Sequence, residues 1–493
     1  MNTVKFGWSE KALVPAGRRV NLLGQFYERI TDERRDELVV TALAVECGNE
    51  SAIFCGCDLA CLSTKLVKRV RELLEGEDIP REKIIISAIH THTGPDYANH
   101  HDNVGSSLDV LAKLLPDAKY EALVASDDDG LFAGEEAFEY ICRRIAEAAL
   151  DAWNNRSEGK YASAFGRAAV GMCRRVCYDD GTAKMWGDAD SPNFTELEGG
   201  NDSGIELMFI ADAKENLTGV IANVACPSQV LEHRNFMSAD YWADVKKLLR
   251  EKFGENIYLL PLCSAAGDQC PRDMIRWVEP ETPINDPNII RDGVTPKIAD
   301  PSTFDIAGCE KIARRIATEI FWAYEEKLPY VSSAEMKHST VTLDMPIRRV
   351  TPAEYEAALG KINAFAKEIG NGVINFKDNA RMHVYAGILA RFEVQKTMDL
   401  MPIEVHVLRL GDVAFATNPY ELFLDYGNQI RARSHAKQTF LIQLSNGSYG
   451  YLPTEKAERN GHYSAYVSSG MIGHEGGNLL VRKTLSEINS MFE

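Results

Sequence analysis

The sequence has no long apolar run. None of its segments approaches the roughly 18 or more consecutive apolar residues that a membrane-spanning helix requires, which argues against stable insertion into a bilayer. The opening residues, MNTVKFGWSEKALVPAG, also lack the apolar centre of a secretory signal. We therefore expect a cytoplasmic protein.

Positively charged residues are in deficit. The 493 residues include 72 Asp and Glu but only 54 Lys and Arg, which gives a net charge of −18. Such a charge repels nucleic acids and anionic lipid surfaces. The sequence therefore predicts no nucleic-acid partner, and it leaves the formation of homo-oligomers open.

Cysteine is not scarce, but a disulfide framework is not expected. Without an export signal, the 11 cysteines are interpreted as reduced thiols. The closest group, Cys55, Cys57 and Cys61 in CGCDLAC, has a spacing that suits no common zinc module. We interpret these three residues as small buried thiols at the end of a strand.

Short β-branched or apolar runs alternate with segments of helical period. Each run ends abruptly in small and polar residues: AIFCGCDLA, KIIISAIHTHTGP, LTGVIANVACPSQ, NIYLLPLCSAAGDQCP, DVAFATNPYE and TFLIQLSNGSYGYLP. Helical segments such as TKLVKRVRELLEG and YWADVKKLLREKFG lie between them. Near-continuous apolar strands require a sheet that is covered on both faces, so the sequence predicts an α/β protein with mixed β-sheets sandwiched by helices. Ligands of such sheets bind beyond the carboxyl ends of the strands.

Two regions are interpreted as long loops inserted into this pattern. Residues 96–137 contain HHDN and the acidic SDDDGLFAGEE, and residues 276–304 are rich in Pro, Asp and Asn. Long loops are usually functional lids or mobile insertions. A break near residues 330–350 divides the chain into two α/β halves, residues 1–335 and 336–493, which we interpret as one domain. The second half is expected to open with helices.

The most distinctive polar cluster follows the run IIISAI. On an extended strand, residues i and i+2 face the same way, so His90 and His92 are predicted to project into one space while Thr91 points away. Neutral imidazole is the commonest metal ligand and the usual general acid or base near pH 7. The alternative is a pair of hydrogen-bonded histidines at a strand end.

Later clusters carry further side chains that bind metals or react. Cys226 follows a strand, Asp268 and Cys270 lie on a Gly-containing turn, Glu421 is expected to enter a helix, and Tyr449 and Tyr451 follow in SNGSYGYLPT. His, Cys and carboxylate all bind zinc, and three protein ligands with one open position are the pattern of catalytic sites.

Together these clusters resemble the motifs of the neutral ceramidases and their bacterial relatives over nearly the whole chain. HTHTGP at 90–95 is similar to the family's His-Thr-His-Ser-Gly-Pro, SAAGDQCP at 264–271 to Asn-Ala-Gly-Asp-Val-Ser-Pro, NPYE at 418–421 to Pro-Gly-Glu, and SNGSYGYLPT at 445–454 to Ser-Asn-x-Tyr-x-x-Tyr-x-Thr-Thr. Tyr463 follows Tyr451 at the twelve-residue spacing of the family. The resemblance implies a ceramidase-like catalytic domain. The C-terminal sandwich domain of the family's exported or membrane-facing members is not expected here.

The resemblance also implies a role for individual residues. It makes His90, Glu421 and Tyr451 zinc ligands, and it places His92, Arg174 and Tyr463 around the reacting centre. The zinc ion would activate a water molecule, Arg174 and Tyr463 would stabilise the oxyanion, and His92 would pass a proton to the leaving amine. Asp268 is expected to orient a ligand or to hold its own turn.

Two positions depart from the family pattern. Cys226 replaces the second zinc histidine of a His-Pro-Thr motif, and Cys270 stands where the family has serine. A thiolate at position 226 still binds zinc but leaves the metal a weaker Lewis acid. His233 is a less favoured substitute ligand and is interpreted as solvent-exposed, and His100 and His101 are interpreted as loop residues.

We therefore predict a zinc hydrolase that cleaves the amide bond of an N-acyl substrate. Ceramide itself is not favoured for a cytoplasmic, acidic protein. Two other classes stay open: a metal-free acyl hydrolase whose nucleophile is Cys226 or Cys270, activated by His90 or His92, and a non-catalytic binding protein on the same scaffold.

Overall fold

The computed structural model describes residues 1–98, 100–102, 107–116, 118–120, 130–279, 297–299, 303 and 305–493. Residues 99, 103–106, 117 and 121–129 of the first predicted loop, and residues 280–296, 300–302 and 304 of the second, lie outside this description. In the first loop the structure contains a helix, Ser107–Leu114, that the sequence did not indicate. No helix within the described ranges is long and apolar enough to cross a membrane.

The larger of two main sheets is built from the first part of the chain. Its strands are β1 (Asn2–Ala12), β2 (Val39–Cys47), β3 (Glu50–Cys57), β4 (Ile84–Ala88), β5 (Ser157–Arg167), β6 (Gly204–Asp212), β7 (Leu217–Val224), β8 (Tyr258–Cys263) and β9 (Ser333–Ala334). The order is β8-β7-β6-β5-β1-β2-β3-β4, and β9 pairs with the start of β1. The pairs β3–β4 and β7–β8 at the two edges are parallel, and the strands between them are antiparallel.

The second sheet contains β10 (Met336–Pro346), β11 (Leu400–Leu410), β12 (Val413–Thr417) and β13 (Gln438–Ile442), in that order. Here too the last pair, β12–β13, is parallel. The predicted break at residues 330–350 is not a loop, because β10 occupies part of it. After this break the chain opens with two helices, Pro352–Ile369 and Phe376–Val394, and then returns to strands, as predicted. Every second residue in the middle of β10 is exposed, as in an edge strand with one covered face, so its sequence looked polar.

The helices are α1 (Thr64–Leu73), α2 (Ser107–Leu114), α3 (Gly134–Asn154), α4 (Tyr241–Phe253), α5 (Asp305–Glu325), α6 (Pro352–Ile369), α7 (Phe376–Val394), α8 (Leu424–Arg433), α9 (Glu455–Asn460) and α10 (His474–Met491). Helix α1 joins β3 to β4, α4 joins β7 to β8, and α8 joins β12 to β13. Each parallel pair is therefore a strand–helix–strand crossover, as parallel pairing requires.

The two sheets stack face to face between layers of helices. Along β4, Ile84 and Ile86 face the cluster that contains α1, α3, α4 and α5, whereas Ile85 faces the second sheet. Phe415 and Phe440 of the second sheet lie in the same inter-sheet cluster as Ile85. The far face of the second sheet packs against α8 and α10. These layers confirm the predicted mixed sheets sandwiched by helices, and they explain why the strands read as continuous apolar runs.

Candidate active site

The carboxyl ends of the parallel strands of both sheets meet at one place. The backbone N–H of Ala88, at the end of β4, donates to the carbonyl of Leu444, just after β13 (3.2 Å). The N–H of Gln443 donates to the carbonyl of Cys263 at the end of β8 (3.0 Å). Backbone groups at strand ends have no partner within the sheet, so these bonds join one sheet to the other. The loops that follow the strands consequently converge.

His90 and His92 lie beyond the end of β4. The prediction that an extended strand orients them is wrong, because the strand ends at Ala88 and His90 has a left-handed φ of 65°. The carbonyl of Leu59 accepts hydrogen bonds from the N–H groups of both His90 (3.0 Å) and Thr91 (3.3 Å), which stabilises this turn. The turn still brings the two imidazole rings together, with 4.9 Å between their centroids.

One ring nitrogen of His90 is committed to the backbone and the other faces a carboxylate. The Nδ1 atom lies 2.6 Å from the carbonyl of Ala60, so Nδ1 carries the proton and donates it. The Nε2 atom lies 3.3 Å from Oε2 of Glu421. Burial lowers the pKa of His90, but the Glu421 carboxylate outweighs burial and the pKa is raised overall.

Glu421 is held by backbone pairing rather than by a helix. It forms a two-residue parallel pairing with Tyr451, and its N–H donates to the carbonyl of Gly450 (2.9 Å). The expectation that Glu421 enters a helix is wrong, because α8 begins only at Leu424. There the Asp268 carboxylate accepts the N–H of Leu424 (2.9 Å) and caps a helix whose own N-cap residue supplies no side-chain bond.

Arg174 brings a positive charge to the same carboxylate. Its guanidinium is 2% exposed and donates to the Gly267 carbonyl (3.0 Å) and to the Tyr451 hydroxyl (3.3 Å). It also lies 3.9 Å from Oε2 of Glu421. Burial raises the pKa of Glu421, but His90 and Arg174 outweigh burial and lower it overall. Glu421 is therefore an ionised carboxylate.

Two phenols complete this cluster. The rings of Tyr451 and Tyr463 lie 5.5 Å apart in an edge-to-face arrangement. Burial, reinforced by the negative charge of Glu421, raises the pKa of both hydroxyls. Both phenols therefore keep their protons and can donate a hydrogen bond.

Arg175, the residue after Arg174, fixes the segment that carries Tyr463. Its side chain is fully buried and forms an ion pair with Glu198. The same guanidinium donates to the carbonyls of Tyr463 (2.9 Å) and Gly461 (2.7 Å). Successive residues of an extended chain point in opposite directions, so one arginine reaches the cluster while the other holds the loop.

His92 belongs to a second set of contacts that the sequence did not reveal. Its Nδ1 lies 3.3 Å from Oε2 of Glu232, and its Nε2 lies 2.7 Å from Nε2 of Gln229. Burial lowers the pKa of His92. Both partners lie in CPSQVLEH, the segment after β7 that also contains Cys226 and His233. The signal that the sequence offered was the pair of polar residues Gln229 and Glu232, three positions apart, in a segment that follows a strand.

The two cysteines of interest are buried. The Cys226 thiol donates to the carbonyl of Pro227 (3.5 Å), and the Cys270 thiol donates to that of Arg272 (3.5 Å). Burial raises the pKa of Cys226 well above its usual value and that of Cys270 to about 11. Both side chains are therefore neutral thiols. The remaining cysteines are also buried and unpaired, which matches the interpretation of Cys55, Cys57 and Cys61 as packing residues.

The other candidates have partners of their own. The backbone carbonyl of Asp268 accepts a hydrogen bond from the N–H of Arg174 (2.9 Å), and burial raises the pKa of the Asp268 carboxyl to about 6.

The prediction that His233 is solvent-exposed is wrong, because its side chain is only 15% exposed and lies 3.5 Å from Asp305. The remaining three are His100, 3.3 Å from Asp96; His101, 3.6 Å from the Cys61 sulfur; and Tyr449, whose ring packs 6.1 Å from that of Tyr420.

Some of these residues suit a zinc ion. Two ligand atoms about 2.0–2.1 Å from a tetrahedral zinc are separated by about 3.3 Å, which is the distance between Nε2 of His90 and Oε2 of Glu421. That Nε2 is buried and has no hydrogen-bond partner among the described residues. The Tyr451 hydroxyl is adjacent. Over the same described ranges, no group of three or more His, Cys, Asp and Glu side chains is arranged to hold a metal ion. The fit therefore rests on His90, Glu421 and Tyr451.

The architecture is that of the neutral ceramidases. The neutral ceramidase from Pseudomonas aeruginosa superimposes with a TM-score of 0.66 and 14% identity, over 100% of this chain and 75% of that one. A ceramidase complexed with C2 also superimposes with a TM-score of 0.66, at 13% identity, over 100% of this chain and 76% of that one. No family model matches the sequence, and no curated protein matches it. The similarity in three dimensions confirms the ceramidase-like fold.

Proposed function

We propose that the protein is a hydrolase that cleaves the amide bond of an N-acyl, ceramide-like substrate. The observation that carries the proposal is the contact between His90 and Glu421 (3.3 Å), with Arg174, Tyr451 and Tyr463 gathered around it. These side chains come from separate segments of the chain on a ceramidase-like fold. Amide hydrolysis needs an activated water, a stabilised oxyanion and a proton for the amine, and this cluster has groups suited to each task.

His90, Glu421 and Tyr451 are the residues that would hold zinc in this proposal, with Cys226 as the fourth candidate. Zinc in such a site activates water for attack on a carbonyl carbon at neutral pH. The bond from Nδ1 of His90 to the Ala60 carbonyl keeps Nε2 directed at Glu421. A backbone acceptor of this kind fixes the tautomer of a ligating histidine. Zinc binding by Cys226 requires its thiol to lose the proton that burial now retains.

Arg174 and Tyr463 would stabilise the oxygen of the scissile carbonyl as it becomes negative. A buried guanidinium keeps its charge, and a protonated phenol can donate. Hydrogen bonds of fixed donors strengthen as the charge on oxygen develops, and removing one such donor typically lowers the rate by roughly 100- to 1000-fold. The bond from the N–H of Arg174 to the Asp268 carbonyl holds this donor in place (2.9 Å).

His92 would deliver a proton to the leaving amine. Its ring lies next to that of His90, and the pKa of His92 is lowered by burial, so it is neutral and can accept and release a proton. The thiols of Cys226 and Cys270 donate to carbonyls and keep their protons, which favours hydrolysis by water over attack by a cysteine.

The test combines metal analysis with turnover of N-lauroylsphingosine and N-lauroylglycine. We expect stoichiometric zinc in the purified protein, its loss in His90→Ala and Glu421→Ala, and release of lauric acid from at least one probe. Cys226→Ala tests the fourth ligand separately. Asp305→Asn, which removes a carboxylate paired with His233 and Arg234 outside the cluster, is the control. Full zinc content in folded His90→Ala contradicts the metal proposal, and no release of fatty acid from either probe contradicts the hydrolase proposal.

A further inference from the structure

The end of β5 and one face of α5 enclose an open cavity that shares no residue with the candidate active site. The cavity has a volume of about 480 Å³ and is lined by residues 167–169 and by side chains of α5. Gly166 allows this arrangement, because a Cβ atom there would lie 3.0 Å from Cβ of Glu319. Without a side chain at position 166, α5 packs directly on β5, and the cavity forms where β5 ends at Arg167.

Four positively charged side chains line the cavity. Lys311, Arg314 and Arg315 belong to α5 and are spaced three and four residues apart, so they lie on one face of the helix. The opposite face of α5, which includes Ile312 and Ile316, is buried in the core. The remaining cation, Arg167, stands on the other wall of the cavity.

Positive charge is in excess at this place, although the protein as a whole has a net charge of −18. Glu319 is the acidic residue of the described lining, so the four cations exceed it by three charges. At about 0.1 M ionic strength, charges more than about 10 Å apart are largely screened, so the local excess decides which ions enter. A cleft lined by charges of one sign concentrates ions of the opposite sign.

The existing contacts of these cations leave donors for a ligand. Lys311 has no ion pair with any residue in the described part of the chain. Arg315 donates one hydrogen bond to the carbonyl of Ala169 (2.7 Å), and Arg167 donates one to the hydroxyl of Ser203 (3.3 Å). A guanidinium has five N–H donors, so these bonds orient the two arginines without using up their donors.

We propose that this cavity is a binding site for a ligand that carries a phosphate group. A phosphate monoester brings a charge of about −1.5 to −2 and three acceptor oxygens, which suits an excess of three cations better than the single charge of a carboxylate does. Arginine binds phosphate through two parallel hydrogen bonds, and lysine binds it as a point charge. The volume is also within the range of small-molecule sites, so the ligand is larger than phosphate alone.

An exposed indole ring is available for the remainder of the ligand. Trp322 follows Thr318 by four residues on the same face of α5, and its side chain is 66% exposed. Such rings combine a large apolar surface with one polar N–H group. The site does not depend on the proposed hydrolase activity, and its test needs no turnover.

Isothermal titration calorimetry with glycerol 3-phosphate tests the site, with sodium acetate at equal ionic strength as the comparison. We expect saturable binding of glycerol 3-phosphate and no binding of acetate. Lys311→Ala and Arg315→Ala should each weaken binding at least about tenfold, because each removes a charge-assisted hydrogen bond. Thermal unfolding verifies the fold of both variants, and Lys311→Ala breaks no described ion pair.

Vesicle flotation distinguishes two sources of the phosphate group. Phosphatidylcholine vesicles with phosphatidic acid are compared with vesicles of phosphatidylcholine alone. Capture that requires phosphatidic acid and is lost in Lys311→Ala identifies a lipid headgroup as the ligand. Binding of glycerol 3-phosphate without such capture identifies a soluble phosphate ester.

The matched controls remove the same charges from exposed positions elsewhere. Lys247→Ala lies on α4 and Arg143→Ala on α3, and both variants should bind glycerol 3-phosphate as the wild-type protein does. Wild-type protein that binds neither glycerol 3-phosphate nor vesicles with phosphatidic acid overturns the proposal. Equal affinity for acetate, or an equal loss of binding in Lys247→Ala and Lys311→Ala, also overturns it.

Discussion

Nε2 of His90 lies 3.3 Å from Oε2 of Glu421, although the two residues follow strands of different sheets. His90 follows β4 of the first sheet, and Glu421 follows β12 of the second. Their contact exists because the sheets stack face to face with the carboxyl ends of their parallel pairs at the same edge. A change at either residue therefore tests a site to which both halves of the chain contribute.

Tyr463→Phe removes one hydroxyl from this site and leaves the ring in place. We expect kcat for the lauroyl probe to fall by roughly 100- to 1000-fold, because a donor to the developing oxyanion is lost. Steady-state kinetics measure the effect, and thermal unfolding verifies the fold. Tyr466→Phe, whose ring packs against His462, is the control and should be unaffected. Equal rates for wild-type and Tyr463→Phe protein would remove Tyr463 from the mechanism.

Thiol alkylation distinguishes hydrolysis by water from catalysis by cysteine. We expect iodoacetamide at pH 8 to leave Cys226 and Cys270 unmodified in the folded protein and to leave turnover unchanged. The physical reason is that burial raises the pKa of both thiols, and the thiolate is the reactive form. Peptide mass spectrometry after alkylation locates the label, with urea-unfolded protein as the positive control. Rapid labelling of either cysteine together with loss of turnover would favour the cysteine mechanism.

Glu198→Ala should destabilise the protein and weaken activity together. It leaves the guanidinium of Arg175 buried without its carboxylate, and the exposed fractions of the two side chains are 0% and 4%. Removing one member of a buried pair costs about 3–5 kcal/mol, and we expect a value near the lower limit because Arg175 keeps its carbonyl acceptors.

Urea unfolding gives the free-energy change for Glu198→Ala. The matched control is Glu393→Ala, which breaks an exposed pair with Lys396 and should cost less than about 1 kcal/mol. Similar losses in the two variants would show that the Arg175–Glu198 pair has no special role.

Asp58 should make stability depend on pH. Burial raises its pKa from 3.8 to about 7 in the folded protein. The protonated form of Asp58 therefore contributes stability that is fully present below about pH 4 and is lost as the pH rises through 7. The resulting decrease in the free energy of unfolding is at most about 4 kcal/mol.

Asp58→Asn keeps the oxygen that accepts the Val39 N–H (2.9 Å) but cannot ionise. We expect its free energy of unfolding to exceed that of the wild-type protein at pH 8 and the advantage to have largely disappeared at pH 4. Urea unfolding at both pH values measures this difference. An advantage that is the same at both pH values would show that the charge of Asp58 is not the cause.

Much of the fold was predictable because buried strands and amphipathic helices leave strong periodic signals. The run KIIISAI predicted β4, and TKLVKRVRELLEG predicted α1. The exceptions have physical causes. Strand β10 is an edge strand with exposed alternate residues, so its sequence resembled a loop. Glu421 precedes α8 because Asp268, distant in sequence, caps the helix at Leu424.

The site was predictable only as a set of residue types. The positions of His90, Glu421 and Tyr451 followed from motifs, but the local conformation of His90 did not, because its left-handed turn depends on the carbonyl of Leu59. Glu232 and Gln229 were missed because their importance lies in contacts with His92 and Arg174, which other segments supply.

The amino-acid sequence alone determined the class of fold and the side chains available for chemistry, since periodicity and residue type are local properties of the chain. Tertiary structure decided which of these side chains meet, and it alone connected Arg174 through Gln229 to His92 and Glu232. The reason is that hydrogen-bond geometry and burial, which set the protonation of each group, arise only when distant segments pack together.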